Sequence, residues 1–167
     1  MEKAKIIIVD NDLTTSLELR ASLEDEGYEV VASTGIAKDA IEQAKQHRPD
    51  VILMDIKLDG AMDGFEAADI IKQQFEIPII MVTAYADEYK LEKLKTISPF
   101  GLLLKPVQRK DLRVTIEMVL HFAEMEAERK QHKKVQDQRI DELTEANNNL
   151  VTQMTELKSQ IEDLTDR

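Results

Sequence analysis

The sequence predicts an α/β fold: a doubly wound parallel sheet of five strands, followed by a long helical extension. Three observations carry this. Five short apolar runs recur through residues 6–104. Stretches with three- and four-residue apolar spacing separate them, the pattern of strand–helix repeats that build a parallel sheet covered on both faces. From Gln108 to Arg167 the chain then contains neither Gly nor Pro.

The runs are IIIV (6–9), YEVVAS (28–33), VILM (51–54), IPIIMV (77–82) and FGLLL (100–104). Most are apolar throughout rather than alternating, as expected of strands buried on both faces. Between them Leu13 and Leu17, then Ile36, Ala40, Ile41 and Ala44, then Phe65, Ala68 and Ile71 fall at helical steps. About a hundred residues organised this way suffice for one compact core.

The extension is a different kind of sequence. Helix formers dominate it, and an unbroken helix over it would be about 90 Å long at 1.5 Å per residue. Leu143, Leu150, Leu157 and Leu164 recur every seven residues, with Ile140, Asn147, Met154 and Ile161 on the complementary seam. This is a heptad with Leu at d and mixed residues at a; Asn at one a position costs stability and favours two strands in one register. A parallel homodimer through 140–164 is expected, with a single amphipathic helix lying on a domain as the alternative and three strands left open by Met154 and Ile161. Leu112, Ile116, Val119 and Ala123 form a second stripe. Continued by sevens it is out of phase with the zipper, and a slip of this kind locally unwinds or overwinds a coiled coil. The expected domains are 1–122 and a helical extension over 123–167.

Composition excludes several functions. The net charge is −11, which opposes binding to nucleic-acid phosphates. The basic cluster RKQHKK (129–134) lies among acids and reads as a solvated helix face. No cysteine is present, so there is neither a disulfide framework nor a thiolate metal site. The N-terminal MEKAK and four-residue apolar run make neither a signal peptide nor a membrane span. A cytoplasmic protein is expected.

Ligands of open parallel sheets bind beyond the carboxyl ends of the strands. Asp10, Asn11 and Asp12 follow the first run, Asp55 the third, Thr83 the fourth, and Lys105 the fifth. Asp12 reads as the cap of a helix starting at Leu13. Asp10, Thr83 and Lys105 each have a structural explanation alone, but with Asp55 they stand at the ends of four different strands. Hard oxygen ligands suit Mg²⁺, and a carboxylate can carry an acyl phosphate. Lys105 and Thr83 can then hold phosphoryl oxygens, which is most of what phosphoryl transfer requires.

At this point IIIVDND, VILMD, MVTAYAD and LLLKP resemble the response-regulator receiver domain of two-component signalling, over roughly residues 4 to 122. The resemblance implies a flavodoxin-like sheet of strand order 2-1-3-4-5, with Asp55 as phosphoacceptor. It implies Mg²⁺ held by Asp10, Asn11, Asp55 and the backbone carbonyl of Lys57. Thr83 would be the switch hydroxyl, Lys105 the phosphate-contacting lysine, and the bond before Pro106 a candidate for cis.

The departures from the pattern are informative. Asn11 stands where the family has a second acid, which predicts weaker Mg²⁺ binding. Leu102 occupies the aromatic switch position, leaving Phe100 and Tyr85 as candidates for that role. The loop LDGAMDGFE, with Asp59, Gly60 and Ala61, is one residue longer than the common form. Lys57 and Tyr85 would flank the hydrolytic water, and shielding by Tyr85 predicts an acyl phosphate that outlives seconds.

The function expected is that of a two-component response regulator. A sensor histidine kinase phosphorylates Asp55, the face around the last strand rearranges, and the helix passes the change to an unknown downstream protein. It is expected to be no enzyme beyond its own phosphotransfer and dephosphorylation, and to bind neither nucleic acid nor membrane. The alternatives are the input part of a larger output enzyme, such as a diguanylate cyclase or hybrid sensor kinase, and a degenerate receiver serving as a constitutive dimerisation scaffold.

Overall fold

The computed structural model describes residues 3–84, 92 and 95–165. The elements run β1 (Lys5–Val9), α1 (Leu13–Asp25), β2 (Glu29–Thr34), α2 (Ala37–His47), β3 (Val51–Asp55), α3 (Gly64–Phe75), β4 (Ile79–Thr83), β5 (Gly101–Leu104) and α4 (Arg109–Thr165). The five strands form one parallel sheet in the order β2-β1-β3-β4-β5, as expected. Asp55 and Thr83 are the last residues of β3 and β4 rather than the first residues beyond them.

The apolar runs work because both faces of the sheet are covered. Successive strand side chains point to opposite faces. Ile6, Ile8, Val51, Leu53, Ile80 and Val82 pack with Leu19 and Leu23 of α1 and with Leu112, Ile116 and Val119 of α4. Their neighbours Ile7, Val9, Ile52, Met54 and Met81 pack with α2 and α3 on the other side. β1, β3 and β4 are almost wholly buried, while the edge strands β2 and β5 are partly exposed.

The face of α1 differs from the expected one. Leu13 and Leu17 are 73% and 56% exposed; the buried residues are Ser16, Leu19 and Leu23. Buried Ser16 is satisfied there, its hydroxyl donating to the Asp10 carbonyl at 3.2 Å. Ile36, also exposed, is the N-cap of α2 rather than part of its packed face.

Helix starts set the strand-end loops. Asp12 caps α1, accepting from the N–H groups of Thr14 (2.8 Å) and Thr15 (3.3 Å). Such a cap is worth about 1 kcal/mol. Asp63 and Glu66 form a reciprocal capping box at the start of α3. There Gly64 lies against the end of β3: a Cβ on it would sit 1.9 Å from the Asp55 carbonyl oxygen.

The chain divides into two compact units, Met1–Ala123 and Glu124–Arg167. In the first, Leu112, Ile116 and Val119 are the buried residues of α4. In the second, residues 127–165 are exposed throughout. No described helix is long and apolar enough to cross a membrane.

Candidate functional site

The carboxyl ends of β1, β3, β4 and β5 bring four of the expected residues to one edge. Asp10 extends β1, its N–H donating to the Thr34 carbonyl at 2.9 Å. Oδ1 of Asp10 accepts from the Asp12 N–H at 2.8 Å, and Oδ2 lies 2.6 Å from Lys105 Nζ. That second contact is a buried ion pair, and Lys105 is the one partner of Oδ2 among the described residues. Asp55 is 7% exposed. Its Oδ1 accepts from the Lys57 N–H at 3.0 Å and its Oδ2 from Lys105 Nζ at 2.6 Å. Thr83 is buried at the end of β4, and its carbonyl accepts the Lys105 N–H at 2.8 Å. The Lys105–Pro106 bond is cis, as the resemblance implies.

Lys105 therefore bridges the two acids. Burial disfavours its charge, but the contacts with Asp10 and Asp55 and their negative charge outweigh that, and its pKa is raised above the ordinary 10.5. Two carboxylates and one ammonium leave the cluster with a net negative charge.

The other expected residues lie around this centre. Asp12 turns away to cap α1. Asn11 is exposed, and its Nδ2 donates to Asp59 Oδ1 at 3.0 Å. Lys57 has an exposed side chain and holds Asp55 through its backbone N–H. Leu102 is 38% exposed on β5, and Phe100 is partly buried against the core beneath it. Tyr85, and with it the shielding expectation, lies outside the described residues. Asp59 is the neighbour that sequence reasoning missed. Its only signal is an acid four residues beyond Asp55, in a loop whose course the sequence does not give.

Among the described residues no group of three or more Asp, Glu, His or Cys side chains is clustered to hold a metal ion. Mg²⁺ does not require one, since it takes one or two carboxylates and keeps several waters. Asp10 and Asp55, two buried acids that share the single ammonium of Lys105, fit that modest requirement.

The comparisons give the family. The response regulator receiver domain model matches residues 6–117, and the chain belongs to that family. It is 32% identical over 124 residues to the transcriptional regulatory protein PdtaR of Mycobacterium tuberculosis, covering 74% of this chain and 60% of PdtaR. It is 36% identical over 120 residues to protein PilH of Pseudomonas aeruginosa, covering 70% of this chain and 98% of PilH. Among solved structures, the signal receiver domain of a modulated diguanylate cyclase from Desulfovibrio desulfuricans superimposes with a TM-score of 0.72. That domain is 34% identical, with 75% of this chain and 99% of the other covered.

Proposed function

We propose that this chain is a two-component response regulator whose Asp55 accepts a phosphoryl group from a histidine kinase in a Mg²⁺-dependent reaction. The carrying observation is Lys105 Nζ, 2.6 Å from both Asp10 and Asp55. An Asp55 carboxylate oxygen attacks the phosphorus, the P–N bond to the donor histidine breaks, and the imidazole retains the electron pair and takes a proton. Lys105 passes from the bare carboxylates to a phosphoryl oxygen. Thr83, beside it on the next strand end, donates a hydrogen bond to another. Asp10, Asn11 through its amide oxygen, Asp55 and the Lys57 carbonyl are the donors for Mg²⁺. Bound there, the cation supplies charge neutralisation for the phosphoryl oxygens. The protein acts in the cytoplasm as a phosphoacceptor, with no chemistry beyond its own phosphotransfer and dephosphorylation.

Intact mass after incubation with Mg²⁺ and a small phosphodonor tests this. One added phosphoryl group is expected, absent in Asp55→Asn. No addition in either chain would leave a degenerate receiver acting as a scaffold.

The output is assigned to the second unit. Ile140, Leu143, Leu150, Met154, Leu157, Ile161 and Leu164 are all more than half exposed in a single chain, and they share one heptad seam. A parallel homodimer through 140–164 buries them. Sedimentation equilibrium is expected to give a dimer, and Leu150→Asp with Leu157→Asp a monomer. A monomeric unsubstituted chain would end the zipper assignment.

A second reading, that the chain is the input part of a larger output enzyme, draws on the similarity to the cyclase receiver. Whether the gene encodes a catalytic domain after Arg167 decides between them.

A further inference from the structure

We propose that Asp59 is a positioning residue for the Mg²⁺ site: it holds the Asn11 amide so that its oxygen, not its nitrogen, faces the cation. The inference rests on reading the strand-end cluster as a Mg²⁺-dependent phosphoacceptor.

Asn11 stands where the family has an acid. A carboxylate presents oxygen whichever way it rotates. An amide has one ligating end and one repelling end, and the two are nearly the same shape. A partner that fixes the orientation of an Asn ligand in advance therefore favours binding. Here Asn11 Nδ2 donates to Asp59 Oδ1 at 3.0 Å. An ionised carboxylate only accepts, so a flipped amide would set oxygen against oxygen. Nδ2 is thereby committed to Asp59, and Oδ1 is the end left for a cation. Ligand-orienting partners of this kind typically change metal affinity 10- to 100-fold when removed.

Asp59 is held in place to do this. Its N–H donates to the Gly35 carbonyl at 3.4 Å, and it pairs with Ile36 as an isolated parallel bridge. Gly35 is what lets the three segments meet: a Cβ there would lie 2.9 Å from the Asn11 Cα. The long β3–α3 loop thus has a purpose at this position, which is to return an acceptor to a side chain 48 residues earlier.

Titration calorimetry of the full chain with MgCl₂ alone tests the proposal. Asp59→Ala is expected to weaken binding about tenfold. Asp59→Asn, which keeps an acceptor oxygen without the charge, is expected to stay within about threefold of the unsubstituted chain. In an Asn11→Asp background, where no orientation has to be chosen, the Asp59→Ala loss should shrink below about threefold. Unchanged affinity in Asp59→Ala overturns the proposal. So do equal losses for Ala and Asn that persist beside Asp at position 11, because they would show a through-space charge effect only. If the unsubstituted chain takes a phosphoryl group on Asp55 while the Asp59 variants bind Mg²⁺ unchanged, this inference alone falls. If it neither binds Mg²⁺ nor takes the group, the phosphoacceptor reading itself falls.

Discussion

Gly64→Ala is expected to destabilise the first unit by about 4 kcal/mol, the range reserved for changes that the fold cannot absorb. The added Cβ would lie 1.9 Å from the Asp55 carbonyl oxygen, 2.9 Å from its carbonyl carbon and 3.0 Å from the Ile56 Cα. All three are backbone atoms, so no side chain can turn aside. The Gly64 N–H also donates to the Ile56 carbonyl at 2.9 Å, which fixes α3 against the end of β3. Relief must come from sliding that helix start away, and the residue displaced is Asp55. Urea denaturation reads the stability and intact mass reads the phosphoryl group; both should fall together. A loss under about 1 kcal/mol would show that α3 yields far more easily than a close-packed interior does.

Lys105→Met is expected to cost about 3 kcal/mol at neutral pH. Removing one partner of a buried ion pair leaves charge without compensation. Here two carboxylates are left, with side chains only 2% and 9% exposed against 17% for the lysine. The pH dependence has a definite sign. The folded pKa of Lys105 is raised above 10.5. Its contribution is therefore complete below 10.5 and lost as pH rises through the still higher folded value. The stability difference between the two chains should stay flat from neutral pH toward 10 and close only in stronger alkali. Mg²⁺ should stabilise the Met variant more than the unsubstituted chain, because there it meets acids that nothing else neutralises. Equal stabilisation of both would separate Lys105 from the cation site.

Much of the site was legible because it follows from where strands end. IIIVD and VILMD each carry an apolar run straight into an acid, and a parallel sheet brings such ends together. The meeting of Asp10, Asp55 and Lys105 follows from that alone. The face of α1 was not legible in the same way. Leu13 and Leu17 satisfy the helical step, but so do Leu19 and Leu23, which are 4% and 0% exposed, and spacing alone does not say which pair faces the sheet. The Asn11–Asp59 pair was hidden for another reason. Its partners sit in loops, where no periodicity links residues 48 positions apart. The heptad of the second unit shows the converse case: its pattern is plain in the sequence, but its seam residues are exposed in the single chain, and the proposed zipper needs a second copy to bury them.

The burial of α4 bears on how a domain of this kind can be recombined. Leu112, Ile116 and Val119 each have at most 2% of their surface exposed, sealing one side of the sheet. At about 1.5–3 kcal/mol for each large apolar side chain, together they match the whole margin by which a small domain is stable. A gene fusion whose junction falls before Leu112 would have to supply those three side chains in the same helical phase. A junction after Ala123 is under no such obligation. Exchange of output modules, in the laboratory or in evolution, is therefore cheap on one side of that point and prohibitive on the other.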